Sequence, residues 1–380
     1  SAAMAAMMCA ALLTGCGGEK KQADTGDTIK VGAAFELTGN VANYGKSINE
    51  GFKLAVDELN KNCGGNGKKI SVVESDNKSE PAESGNAVTK LITQDKVVAV
   101  VGPATSGCVN AATPITTANK VPHIAPAATA PSITVENGKV KDFVFRACFI
   151  DPFQGQVMAV FADKTLKVKN VAIFYDSSSD YSKGLAEVFQ KTLEGKGGKI
   201  VAKEAFLAKD VDFKSALTKL KASNPEAIYV PGYYEEVGKI VKQAREMGIT
   251  LPITGGDGWD NSKLPEVAGA AALNNTFFST HYSEQDKEVQ GFIEAFKTEY
   301  KKDPNVFAAL GYDAGKMLID AIKRAGSDDP EKIRQALEET KDLQVGTGMI
   351  SIDKNHDPIK SAVIIEMKDG KQMFKATIKP

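Results

Sequence analysis

The chain has 380 residues, 42% of them hydrophobic, which is apolar material for about two domains with cores of their own. Its 47 basic and 48 acidic side chains nearly cancel, so no global field favours nucleic acid or an anionic membrane surface, and small neutral or zwitterionic partners fit the balance better. The three histidines, His123, His281 and His356, are isolated from one another in sequence, so the common metal and acid–base arrangements lack their usual residue and neither a metal nor a cofactor is expected.

In chain order, residues 2–13, "AAMAAMMCAALL", are wholly apolar and lead into Leu13-Thr14-Gly15-Cys16. A spanning helix needs ~20 apolar residues, so this run is too short to cross a bilayer. Residues 1–15 resemble a truncated bacterial lipoprotein signal peptide, with Cys16 as the lipidated first residue of the mature chain. The alternative is a buried helix opening a domain. Residues 16–28 carry little to bury and read as a flexible tether. Beyond them lie Cys63, Cys108 and Cys148, without C-x-x-C spacing; one disulfide at most can form, and its pairing stays open.

From Ile29 the chain alternates strand and helix patterns. "IKVGAAFEL" precedes a helical stripe of Ile48, Phe52, Ala55, Val56 and Leu59; "KISVVESD" precedes a second helix expected over 86–94; "VVAVVG" follows, apolar throughout. A continuous apolar strand between helices indicates a parallel sheet buried on both faces. The rhythm restarts at "NVAIFYD", with helices expected near 182–195, 213–222 and 235–247 around further strands. Helices follow over 285–302, 306–325 and 330–339, the last opened by Asp329 and Pro330, and short strands near 348–352, 361–367 and 373–378 close the chain. The fold class is therefore α/β: two βαβ lobes, each a mainly parallel sheet flanked by helices, completed by a returning tail. Lobe 1 is expected over 29–148 plus 281–351 and lobe 2 over 149–280 plus 352–380, with several hinge crossings near 147–151, 279–282 and 350–354.

Two strand ends attract chemistry. In "VVGPATSGCVNAATPI" a buried strand ends at Gly102-Pro103 and a helix begins near Ser106, so unpaired N–H groups and the hydroxyls of Thr105 and Ser106 suit a small anion such as a carboxylate. In "HIAPAATAP" Thr129 ends the next strand at the same sheet edge, where open α/β sheets bind ligands. Capping by Ser106 and turn formation by Thr129 are the plain alternatives.

The segments "GAAFELTGNVANYGKSINEGFKLAVDELN", "VGPATSG", "PAATAP", "FRACFIDPFQG" and "GGDGW" resemble the branched-chain amino-acid binding proteins that feed ABC transporters, in order and from about Ile29 to near the C-terminus. The resemblance implies a periplasmic-binding-protein type I fold and a ligand held between the lobes. It implies that Ser106 and Thr129 hold the ligand carboxylate with the carbonyl of Ala127 nearby, and that Asp257 pairs with the α-ammonium. It further implies that Tyr44, Tyr181 and Tyr233 line the pocket. Tyr44 and Trp259 are candidates for walling an apolar side chain, core packing being the alternative for both. Relatives often carry glutamate where this chain has Asp257, one methylene shorter.

The implied protein is a monomeric, extracytoplasmic, lipid-anchored receptor, with an aliphatic amino acid and ABC permease subunits as partners and no nucleic acid. Two other classes fit the scaffold: a ligand-sensing regulatory protein and an α/β-hydrolase-type enzyme. G-x-S-x-G, P-loop, G-x-G-x-x-G and H-E-x-x-H motifs are absent from the sequence, so no catalytic residue is expected. "DKNHDPIK" at 353 begins like a calcium loop but has Pro358 where glycine belongs, and reads as a hairpin turn.

Overall fold

Apolar strands that alternate with amphipathic helices must cover both sheet faces, and the chain does this twice. The computed structural model describes residues 28–62 and 67–379. The first sheet contains β1 (Thr28–Phe35), β2 (Lys69–Asp76), β3 (Val100–Val101), β4 (His123–Ala125) and β5 (Val144–Arg146), all parallel in the order β2-β1-β3-β4-β5. Helices α1 (Ala42–Lys61), α2 (Pro81–Thr93) and α3 (Ser106–Ala118) connect its first four strands.

After α4 (Asp151–Phe161), the second sheet takes β6 (Asn170–Asp176), β7 (Lys199–Phe206), β8 (Ala227–Tyr229), β9 (Ile253–Gly255) and β10 (Thr276–Thr280). These alternate with α5 (Asp180–Gly195), α6 (Lys214–Ala222), α7 (Tyr234–Glu246) and the short α8 (Leu264–Ala268). The tail supplies α9 (Gln290–Tyr300), α10 (Val306–Ala325) and α11 (Pro330–Glu338), then β11 (Ala362–Lys368) and β12 (Lys371–Ile378). The second sheet runs β12-β11-β10-β9-β8-β6-β7, with β11 and β12 antiparallel at one edge.

The α1 stripe of Ile48, Phe52, Ala55, Val56 and Leu59 is buried. Helix α2 starts at Pro81 rather than at residue 86, because Pro81 presets the first turn while the apolar period begins only at Ala87. Helix α9 is shorter than the expected 285–302. Ser283 N–H donates to Asp286 at 3.2 Å in a turn ahead of it, and Lys301 ends it in the left-handed region with φ 56°.

Helices α1 and α10 pack backbone to backbone. A Cβ at Gly51 would lie 1.8 Å from the Ala308 carbonyl oxygen, and one at Gly311 would lie 2.0 Å from that of Ile48. This ties the tail to the first sheet, while β11 ties it to the second. The chain passes between the sheets after Arg146, after Thr280 and between Ile350 and Ala362. Buried ion pairs fasten the last passage: Arg146 to Asp357 at 2.5 Å and Lys360 to Asp313 at 3.0 Å. The "DKNHDPIK" segment there is a turn, in which Asp353 accepts from the N–H groups of Asn355 and Asp357 at 2.8 and 3.0 Å.

Candidate functional site

Ser106, Thr129, Tyr181, Tyr233 and Asp257 each lie just past the carboxyl end of a parallel strand, in β3, β4, β6, β8 and β9 respectively. The two sheets turn these ends toward each other, and a narrow space of about 20 Å³ lies between them. All seven candidate residues (Tyr44, Ser106, Ala127, Thr129, Tyr181, Tyr233 and Asp257) line it, together with Ala104, Thr105, Gly258 and Phe307. That volume is far below the ~300–1,000 Å³ usual for small-molecule sites, so the lining residues, rather than the free space between the closed lobes, define the candidate site.

On the first-lobe side, Ser106 opens α3 and its Oγ accepts from Ala130 N–H at 3.3 Å. Thr105 does not share an external anion with it. Its N–H and hydroxyl donate to Glu36 Oε1 at 3.1 and 3.0 Å, and Ala104 N–H donates to Glu36 Oε2 at 2.9 Å. A buried carboxylate at the end of β1 thus already occupies that part of the helix N-terminus. The "PAATAP" turn is held from behind by Arg146, whose guanidinium donates to the carbonyls of Ala128 and Ala130 at 3.1 and 3.0 Å. Thr129 is buried in that turn.

On the second-lobe side, Asp257 is buried and its carboxylate meets three donors. Oδ1 accepts from Tyr181 OH at 2.9 Å and from Gln154 Nε2 at 3.0 Å, while Oδ2 accepts from His281 Nε2 at 3.0 Å. Burial holds His281 below the ordinary imidazole range, so the imidazole is neutral at pH 7 and the carboxylate is met by a phenol, an amide and an uncharged ring. Each carboxylate oxygen takes about two hydrogen bonds, which leaves one acceptor position on Oδ2.

Aromatic rings make the walls. Tyr181 stacks on Tyr233 with centroids 5.1 Å apart, and Tyr44 lies 4.2 Å from Phe307. Burial pushes the phenols of Tyr44, Tyr181 and Tyr233 well above their ordinary range, so all three remain protonated donors. Tyr44 OH donates to the Gly258 carbonyl and accepts from Tyr234 N–H at 3.2 Å, joining α1 of one lobe to the other.

Trp259 is corrected from a candidate wall to core. It is fully buried, its indole N–H donates to the Val230 carbonyl at 2.9 Å, and its ring fills the space a side chain at Gly255 would need. The glycines of "GGDGW" therefore make room for the protein's own rings: a Cβ at Gly256 would meet Tyr181 OH at 2.6 Å. Gln154, His281, Phe307, Glu36 and Arg146 were not singled out from sequence. Gln154 sits in the quoted stretch "FRACFIDPFQG", but its inward direction follows from the entry of α4, which no periodicity announces.

Among the described residues, no group of three histidine, cysteine, aspartate or glutamate side chains is placed to hold a metal ion. Cys108 and Cys148 are free and buried, and burial pushes both thiols up to about 12. Cys16 and Cys63 lie outside the described residues. No helix among the described residues is long and apolar enough to cross a membrane.

Two parallel α/β lobes that meet over one buried polar site at the carboxyl edges of both sheets define a two-lobed solute receptor of the periplasmic-binding-protein type I class. The chain belongs to the periplasmic binding protein family, whose model matches residues 28–372. It is 32% identical over 331 residues to the leucine-, isoleucine-, valine-, threonine- and alanine-binding protein of Pseudomonas aeruginosa, covering 87% of each chain. The crystal structure of the leucine-binding protein LivK of Thermotoga maritima matches with a TM-score of 0.87 and 39% identity, over 93% of this chain and 99% of that one. The branched-chain amino acid transporter substrate-binding protein LivJ of Streptococcus pneumoniae, solved in complex with isoleucine, matches with a TM-score of 0.87 and 42% identity, over 93% and 100%. These are binding proteins, not enzymes, so the hydrolase alternative gives way.

Proposed function

We propose that the protein is an extracytoplasmic, monomeric solute-binding lipoprotein. It captures an aliphatic, branched-chain amino acid between its lobes, 29–148 plus 281–351 and 149–280 plus 352–380, and delivers it to the permease of an ABC transporter. In this reading Cys16 carries the lipid. Ser106 and Thr129 hold the ligand carboxylate with the Ala127 carbonyl beside them, Asp257 Oδ2 takes the α-ammonium, and Tyr44, Tyr181 and Tyr233 with Phe307 enclose the aliphatic side chain. Relatives named for leucine, isoleucine and valine support the ligand class.

One observation carries the reading: lining one space between the lobes, a buried carboxylate with uncharged partners stands opposite the hydroxyls of Ser106 and Thr129. Burying a zwitterion is favourable only if both charges find partners, and these two ends supply them. A thermal-shift screen of the twenty amino acids tests it. Leucine, isoleucine or valine at a thousandfold excess over its Kd should stabilise the fold by about 4 kcal/mol and raise Tm by several degrees. A screen in which no aliphatic amino acid moves Tm contradicts the reading.

A further inference from the structure

Behind Thr129 lies a second buried acid that the ligand-binding scheme does not use. Asp151 opens α4, is fully buried, and donates its own N–H to the Thr129 carbonyl at 2.9 Å. Its side chain belongs to a chain of hydrogen bonds whose direction is fixed. Asp257 N–H and Ser279 Oγ donate to Gln154 Oε1 at 3.3 and 3.0 Å, so the Gln154 amide has one orientation. Its Nε2 then faces both acids, donating to Asp257 Oδ1 at 3.0 Å and to Asp151 Oδ1 at 2.9 Å. Asp151 Oδ1 is therefore an acceptor, and any proton on Asp151 sits on Oδ2. The Thr129 hydroxyl lies close enough to lower the proton affinity of Asp151, yet Thr129 Oγ1 and Asp151 Oδ2 are both buried without a hydrogen bond of full geometry. Both atoms are therefore open to a partner, and the two side chains are near enough to interact.

We propose that Asp151 is a positioning residue that sets the direction of the Thr129 hydroxyl: protonated on Oδ2, it donates to Thr129 Oγ1 and leaves the Thr129 proton for the ligand carboxylate; ionised, it draws that proton to itself. The inference rests on the reading that Thr129 holds a ligand carboxylate. The surroundings supply the proton at neutral pH. Burial, with the Asp257 charge beside it, raises the Asp151 carboxyl to about 7, against the hydrogen bonds of Thr129 and Gln154 and the more distant charge of Arg146. The other titratable groups near it keep their charge state there: the phenols of Tyr181, Tyr229 and Tyr233 and the Cys148 thiol are pushed up, and His281 is pushed down.

Calorimetric titration with L-leucine from about pH 6 to about pH 8, for wild type and Asp151→Asn in the same buffers, tests this. The asparagine must accept from Gln154 through its oxygen, so its amide donates toward Thr129 as the protonated acid does. Wild-type affinity should weaken about tenfold across the range, the scale of one hydrogen bond to a charged group. Asp151→Asn should hold the low-pH affinity throughout. A flat wild-type profile, or a variant that follows the wild-type slope, overturns the proposal. The wild-type profile decides alone if the variant does not fold. If leucine, isoleucine and valine all fail to bind, the functional reading falls separately. The infrared band of a protonated carboxyl in the free protein then decides: absent in Asp151→Asn and titrating near pH 7, it supports the Asp151 proton; its absence from wild type refutes it.

Discussion

Asp257 differs from an ordinary buried carboxylate in the company it keeps. Tyr181, Gln154 and neutral His281 satisfy three of its acceptor positions without cancelling its charge, so in the proposed complex a cationic ligand group on Oδ2 completes the site. Asp257→Asn keeps the shape and removes the charge, and should weaken amino-acid binding by ~2–5 kcal/mol, roughly 30-fold to several-thousand-fold by calorimetry. Binding of the best ligand within about threefold of wild type would show that Asp257 only shapes the turn. At this scale the sequence was informative where a candidate side chain follows a strand directly, as Ser106, Thr129 and Asp257 do, all three of which line the same space between the lobes. It was silent where the side chain arrives from a neighbouring element: Gln154 comes from the helix opening the second lobe and His281 from a crossing, and nothing in their local spacing distinguishes them from structural residues.

Among the elements, α1 and α10 form the support on which the first-lobe wall of the cleft rests. Tyr44 and Phe307 ride on these two helices, whose closest approach is set by Gly51 and Gly311. Gly311→Ala drives a methyl group into the Ile48 carbonyl and should cost about 1–3 kcal/mol, read as a lower denaturant midpoint, with weaker ligand binding as Tyr44 and Phe307 part. Gly291→Ala in α9 meets nothing within 4 Å and should leave stability unchanged or raise it slightly, by its better helix propensity. An equal midpoint for wild type and Gly311→Ala contradicts the close-packed account. Elements with a strong period were legible from sequence, including α10 to the residue. The start of α2 was not, because its first turn, "PAES", carries no large apolar side chain to begin a period.

In the whole molecule the lobes are closed against each other. Besides the Tyr44 link, Asn40 Nδ2 donates to Glu236 Oε1 at 2.9 Å, and Lys209 pairs with Glu80 at 2.5 Å across the cleft mouth. Returning βαβ series made two lobes readable from sequence. The fastening of the crossings by Arg146 with Asp357 and Lys360 with Asp313 was not, since each pair joins residues distant in sequence: 211 positions apart (357 − 146) and 47 apart (360 − 313). In the proposed complex the ligand spans the lobes, its carboxylate on Ser106 and Thr129 and its ammonium on Asp257, so closure depends on both ends at once. Calorimetric titration with L-leucine, isocaproate and isoamylamine tests this directly, because the acid keeps only the carboxylate and the amine only the ammonium. The account predicts that leucine binds and that each truncated compound binds at least ~30-fold more weakly, about 2 kcal/mol for an unmatched buried charge; isocaproate binding within about threefold of leucine would contradict it.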